Sequence, residues 1–356
     1  MTEQPRFLPA VAFAAVLTVS GLLGGCATLD YYAQSISGHL HLMSLREPVD
    51  GLISDADTPE DLRARLQTAT EIREFAHRAL DLPDNGSYRS YVSLDRPYVS
   101  WTVVAAPELS LKPKTWCFPV VGCVAYRGYF EEAGAWRFAA KLEAQGYDVH
   151  VNGVQAYSTL GWFDDPLLNT MISQPDYRLA GVVFHELAHQ RLYVPGDSSF
   201  NEAYANLMER EGVRRWLERS ADPDVQARYQ TYERRRAGFL DLVGRTRKSL
   251  ETAYASDRTD AEKLAAKSQA FARMREEYQV LRAQWNGFGG YDAWFESGLN
   301  NAKIALVLTY NEHLPALQNL LASKSGDLRA FNVACEALAR LPADERNAAL
   351  SRLAVS

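Results

Sequence analysis

Gly181-Val182-Val183-Phe184-His185-Glu186-Leu187-Ala188-His189-Gln190 is the stretch on which the reading of this 356-residue chain turns. Two histidines four apart on a helix leave the same face one turn apart, so both imidazoles can reach one metal ion. Glu186 is turned about 100° from His185, which sets its carboxylate beside a metal-held water rather than on the metal. Zinc lowers the pKa of such a water toward neutrality, and a carboxylate so placed takes its proton and passes it to a leaving amine. A His-Glu-x-x-His pattern arises by chance in about 1% of chains this long, so its surroundings matter. The flanks Val182-Val183-Phe184 and Leu187-Ala188 are uncharged, as a buried site helix requires.

A hydrolytic zinc site needs a third protein ligand and an open fourth position. Asp197, Glu202 and Glu209 follow within reach. In Phe200-Asn201-Glu202-Ala203-Tyr204-Ala205 an acid opens a helix just after the loop Val194-Pro195-Gly196-Asp197. A helix entered that way can pack back across the first, so Glu202 is the expected third ligand. The 175–218 segment therefore reads as two helices around one loop.

Outward from this core, Tyr88 to Phe130 changes to short β-branched and aromatic runs broken by Pro and Gly, and antiparallel strands are expected near 98–104, 124–130 and 147–157. Helices are expected at 30–45, 58–80 and 131–145. Leu264, Phe271, Tyr278 and Trp285 recur every seven residues, as do Val225, Tyr232 and Phe239, so 222–285 reads as a long helical hairpin whose charges form a solvated surface. Two more helices are expected near 297–314 and 327–341. The fold class is α+β, with a small antiparallel sheet. The expected segments are 1–25, 26–221, 222–285 and 286–356: a leader, the first part of the catalytic body, the hairpin and the completing helices.

The composition excludes other classes. Acids outnumber Lys plus Arg by 44 to 38 for a net charge of −6, with no basic run, so nucleic acid is not an expected partner. A mean hydropathy of −0.26 excludes a multi-span membrane protein. Phe7 to Leu23 is uncharged and apolar, as in a secretory signal, and Leu23-Gly24-Gly25-Cys26 resembles the lipobox of bacterial lipoproteins. That resemblance implies lipid on Cys26, with Ala27 implying an outer-membrane anchor facing the periplasm. Export permits disulfides, and Cys117 and Cys123, with Pro119 and Gly122 between them, read as a stapled hairpin tip. Cys335 reads as a buried free thiol. No residue pattern points to a particular oligomer.

The pairing of His-Glu-x-x-His with a downstream Asn-Glu-x-x-Ala helix resembles the gluzincin metallopeptidases, the zincin group containing thermolysin and zinc aminopeptidases. The resemblance implies that His185, His189 and Glu202 bind one zinc ion and that Glu186 is the general base. More narrowly, the lipobox, Trp116-Cys117-Phe118-Pro119, Tyr126-Arg127-Gly128-Tyr129-Phe130 and His-Glu-Leu-Ala-His together resemble a family of bacterial lipoproteins described as aminopeptidases. A peptide substrate is implied. Two departures stand out. Only 12 residues separate His189 from Glu202, fewer than in better-known gluzincins, and the Gly-x-Met-x-Asn element that binds the substrate amine in zinc aminopeptidases is absent. Asn206 stands where thermolysin-like enzymes carry an Asp, and its carbonyl can accept an imidazole N–H and orient a ligand.

Peptide hydrolysis also needs a donor for the tetrahedral oxyanion. Tyr310 is the candidate, three residues before His313 on one helix face, with packing in the core as the alternative. Asn300 and Asn301 line the cleft or cap a helix. Arg127 binds a peptide carboxylate or makes a structural contact. His39, His41, His77 and His150 show no ligand spacing, and the loop Trp162-Phe163-Asp164-Asp165-Pro166 lies near the site without an assigned role. An aminopeptidase, an endopeptidase and a non-hydrolytic zinc-binding lipoprotein all share these residues. The intact Glu186 argues against the last.

Overall fold

The computed structural model describes residues 29–118, 121–219, 222–309 and 311–355. Cys26 and Tyr310 lie outside the described residues. The chain divides into two units, Met1–Leu45 and Arg46–Ser356. In the first, residues 29–44 are helical (α1), with Leu29, Ile36 and Leu40 exposed. No helix among the described residues is long and apolar enough to cross a membrane.

The second unit runs β1 (Glu47–Pro48), α2 (Val49–Ser54), α3 (Glu60–Leu80), β2 (Ser90–Val92), β3 (Ser100–Pro107), β4 (Trp116–Phe118), β5 (Gly122–Val124) and β6 (Arg127–Tyr129). It continues with α4 (Glu132–Glu143), β7 (Tyr147–Val154), β8 (Leu167–Leu168), α5 (Asn169–Ile172), α6 (Asp176–Arg191) and α7 (Ser198–Glu218). Then come α8 (Pro223–Tyr254), α9 (Asp260–Gln284), α10 (Asp292–Glu296), α11 (Asn301–Thr309), α12 (Leu314–Ser323), α13 (Leu328–Ala339) and α14 (Ala343–Ala354). The class is α+β.

The main sheet has the order β6-β3-β7, antiparallel throughout. Val103, Val104, Ala105 and Ala106 of its central strand are all fully buried, because α4 and α11 cover its two faces. A strand hidden on both sides carries a continuous apolar run rather than an alternating one. A second small sheet, β1-β2-β8, contains a parallel pair, β2 with β8. The three strands expected to be antiparallel are so in the main sheet; this second sheet was not expected, because strands of two or three residues carry no periodicity to read.

β4 and β5 form the stapled hairpin, with Cys117 bonded to Cys123. Cys335 is a buried free thiol. α3 buries Leu66, Ala69, Ile72, Phe75 and Leu80 against α6 and α7. α8 and α9 pack on each other through Phe239, Leu242, Phe271, Met274 and Tyr278, and the same seam takes in Phe295 and Ile304. Phe239 stacks on Tyr291 at 4.2 Å and Tyr278 on Phe295 at 4.0 Å. Beyond the hairpin the expectation of two helices is corrected to five among the described residues. Pro315 falls in the first turn of α12 and Pro342 immediately precedes α14, positions where proline costs no backbone hydrogen bond.

Candidate metal centre

α6 carries the site because its two sides do different work. Leu179, Ala180, Val183, Phe184, Leu187 and Ala188 are buried. Arg178, Val182, His185, Glu186 and His189 recur at helical spacing along the remaining face. The helix stops at Arg191, and Pro195 with Gly196 turns the chain (Gly196 has φ +83°). Asp197 then caps α7, accepting from the Phe200 amide at 3.1 Å and pairing with Arg346 at 2.6 Å. Asn201, 2% exposed, closes the loop by accepting from the Val194 amide at 2.8 Å and donating to the Val194 carbonyl at 2.9 Å. Glycines let the two helices approach: a Cβ on Gly212 would lie 2.6 Å from Phe184, and one on Gly181 would lie 3.3 Å from Glu209.

This crossing brings His185, His189 and Glu202 together. The two Nε2 atoms lie 3.2 Å apart, and Glu202 Oε2 is 3.3 Å from His185 Nε2 and 3.6 Å from His189 Nε2. Glu202 Oε2 is buried without a hydrogen-bond partner, and so is His189 Nδ1. Zinc-ligand bonds of 2.0–2.2 Å in a tetrahedron put ligand atoms about 3.3–3.6 Å apart. The three donors stand at very nearly those separations, so they fit one small cation. The charge balance agrees. Burial opposes ionisation of Glu202, but the two imidazoles overcome it and hold its carboxyl down at about 2. Burial likewise opposes a charged His185, and the facing carboxylates of Glu202, Glu209 and Glu186 outweigh it, raising its pKa.

The second nitrogen of His185 is held by Glu209, whose Oε2 lies 3.3 Å from Nδ1. Burial works against that carboxylate too, and His185, Arg236 and Arg178 hold it at about 2. Arg236, from α8, approaches Glu209 at 3.5 Å and Asn206 Oδ1 at 3.3 Å. The orienting position next to His185 is thus occupied by Glu209, whereas Asn206 meets Arg236. Glu209 had been legible only as a rival third ligand, although it sits seven residues after Glu202 and so on the same helical face. Arg236 belongs to the charges expected to form a solvated surface and Tyr232 to the seven-residue repeat of the hairpin, while Tyr229 had no expected role. All three line the cleft onto which the site opens, of about 570 Å³.

Opposite them the cleft is bounded by β7 and the two residues after it, from Asn152 to Ala156. β7 is an edge strand of its sheet. Glu186 lines this cleft beside His185. Behind it stands a buried polar group. Gln190 donates to Ser87 and Asp165 at 3.2 Å each and accepts from Asn85 at 2.7 Å, and Asp165 accepts from the Thr159 amide and hydroxyl. Burial, with the Glu186 charge added, pushes the Asp165 carboxyl up to about 6 against the hydrogen bonds of Thr159 and Gln190. Tyr88, 2% exposed and at φ +63°, places a hydroxyl without a hydrogen-bond partner in this neighbourhood. Nothing in the local sequence around Asn85 or Tyr88 signals this assembly, because its parts come from three separated segments.

Other candidates resolve as structural. Asn300 ties α11 to β7 through the Val149 carbonyl at 2.7 Å, and Asn301 donates to the Pro107 and Glu108 carbonyls. Arg127 lies over the Phe138 ring at 4.7 Å. In the 162–166 loop Trp162 and Phe163 are exposed while Asp165 is fully buried. The disulfide hairpin touches the loop between α6 and α7: the Gly196 amide and the Tyr193 hydroxyl both donate to the Val121 carbonyl at 3.2 Å.

No curated protein and no solved structure matches the chain. A protein-family model, described as "Putative aminopeptidase", matches residues 30–350. That span takes in the sheet, the helix crossing with its three donors, the hairpin and nearly all the C-terminal helices, and the chain belongs to this aminopeptidase family.

Proposed function

We propose that the protein is a zinc-dependent aminopeptidase of the gluzincin type. The observation that carries this reading is the convergence of His185, His189 and Glu202 at tetrahedral separations with Glu186 on the same helix face, opening to a cleft. His185, His189 and Glu202 would hold the zinc, which when bound would supply a Lewis acid for water and a peptide carbonyl. Glu186 accepts the proton of the attacking water and hands it to the departing amine. Glu209 fixes the tautomer of His185 and keeps Nε2 turned toward the ligand cluster. The free edge of β7 offers backbone groups along which an extended peptide lies as an added strand. Tyr310, close in sequence to the end of α11, is the proposed oxyanion donor.

The proposed location is the periplasmic face of the outer membrane, through lipid on Cys26, as the Leu23-Gly24-Gly25-Cys26 sequence supports. Two or more acyl chains would make that attachment stable.

Metal analysis with peptide digestion tests the catalytic reading. The expected result is one zinc per chain in wild type and Glu186→Gln alike, N-terminal ladders from a peptide library, and a loss of about 10²- to 10⁴-fold in rate for the variant. Internal cuts would make the protein an endopeptidase. Full activity in Glu186→Gln would refute the mechanism. Incorporation of labelled palmitate that disappears in Cys26→Ser is the outcome expected for the anchor.

A further inference from the structure

Arg178 occupies the cleft wall two turns before His185, on the same face of α6. Its Nη1 donates to the Tyr232 hydroxyl, and its guanidinium carbon lies 5.0 Å from the centre of that ring. Tyr177, Tyr229 and Tyr232 cluster around it with ring centres 5.7–6.3 Å apart. Among the described residues Arg178 makes no ion pair. The nearest carboxylate feels the Arg178 charge but is in direct contact with others: Glu209 takes His185 and Arg236, and Arg236 also faces Glu233 at 3.7 Å. Arg178 is therefore a half-exposed cation without a carboxylate in direct contact, on an aromatic wall of the cleft.

We propose that Arg178 is a specificity-determining residue that binds a carboxylate of the peptide substrate. This rests on the peptidase reading above and adds the chemistry the cleft selects. A guanidinium held by an aromatic stack keeps donors of its fork for a planar acid, which it grips better than any neutral group. Seven residues of helix separate Arg178 from His185, or about 10 Å along the axis. An extended peptide covers that distance in about three residues. The carboxylate bound is thus about three residues from the bond that is cut. It is either the chain end of a short peptide or the side chain of an acidic residue in a longer one.

Binding to the zinc-loaded Glu186→Gln protein, which is expected to hold peptides without cutting them, separates the possibilities by calorimetry. The probes are tetra-alanine, its C-terminal amide, and an amidated tetrapeptide with aspartate in the last position. We expect tetra-alanine to bind at least about tenfold more tightly than its amide. Affinity regained by the aspartate probe assigns the side-chain source, and affinity confined to the free chain end assigns the other. Adding Arg178→Gln collapses the ratio of acid to amide, and Arg178→Lys restores part of it.

Equal binding of all three probes, no measurable binding of any of them, or an equal loss for all three in Arg178→Gln would overturn the proposal. The last result would leave Arg178 as a structural support for Tyr232. Parallel digestion with the wild-type enzyme keeps the two readings apart. Discrimination in binding with no cleavage of tetra-alanine would sink the peptidase reading and leave the carboxylate site. Equal cleavage of acid and amide would do the reverse.

Discussion

Glu209 offers the sharpest test of how the centre is built. Its carboxylate lies 3.3 Å from Nδ1 of His185, whose Nε2 faces the donor cluster, so it governs both the tautomer and the ring orientation of one ligand. Removing such a partner costs about 10- to 100-fold in metal affinity, or about 1.4–2.7 kcal/mol. Glu209→Gln keeps an oxygen able to accept the Nδ1 proton and gives up only the charge, so it should sit at the lower end. Glu209→Ala abandons both and should sit at the upper end. The same carboxylate helps to raise the His185 pKa, so protons compete with metal at that ring. Zinc affinity of the wild type should therefore fall as pH drops, and less steeply in Glu209→Gln. Competition with a chromophoric zinc chelator across the pH range measures both effects. If Glu209→Ala holds zinc within twofold of wild type while His185→Ala loses it, the orienting role is wrong and the contact is packing alone.

Three further outcomes are expected. Gly212→Ala drives a methyl to within 2.6 Å of Phe184 and 2.7 Å of Leu80, and should cost about 1–3 kcal/mol in chemical unfolding; a neutral result would mean that α6 and α7 are not closely packed there. Lys303, 1% exposed and held by the Trp294 carbonyl and the Ser297 hydroxyl, is pushed down to about 8, chiefly by burial. The unfolded chain then binds more protons between about pH 8 and 10.5, so this residue's contribution to stability rises with pH there, and wild type should gain about 2 kcal/mol on Lys303→Met between pH 7 and 9.5. An identical pH profile for the two proteins would remove that inference. Replacing Cys117 and Cys123 with serine should cost about 2 kcal/mol and loosen zinc binding less than tenfold, since Asn201 and Asp197 still hold the loop; zinc loss as complete as in His189→Ala would contradict this division of labour.

α6 and α7 were legible because their signals are local. His185 and His189 share one turn, Pro195-Gly196 marks the loop, and Glu202 opens the next helix, so chemistry and secondary structure coincide within 20 residues. β3 was legible for the same reason, its run Trp101-Thr102-Val103-Val104 being apolar and β-branched. What was not legible depends on contacts across the sequence. Arg236 lies 27 residues beyond Glu209, on a helix whose outer charges resemble any solvated surface until α8 is laid beside α7. Asn85, Asp165 and Gln190 come from three segments and meet only in the folded chain. A carboxylate on Glu209 has the same sequence signature whether it binds metal or steadies a ligand. The close approach of α6 and α7 at Gly181 and Gly212 sets Glu209 against His185 Nδ1 rather than beside the other donors.

The short link between His189 and Glu202 now has a physical account. With 12 residues between the ligands there is no room for an intervening helix to brace α7, so the loop must be rigid by other means. It is fastened from inside by both hydrogen bonds of Asn201 to Val194, from the C-terminal helices by Arg346 on Asp197, and from the sheet side by Val121 of the disulfide hairpin. Gly122, at φ +75°, fits there because a Cβ would strike the Gly196 amide at 2.5 Å. Each fastening comes from a different part of the chain, and Tyr193, which donates to Val121, also meets the His189 ring edge-on at 6.5 Å. The loop that sets the helix crossing is therefore held by contacts of the protein itself, and for a metal bound at His185, His189 and Glu202 such an arrangement would leave little of the binding energy to be spent on ordering the donors.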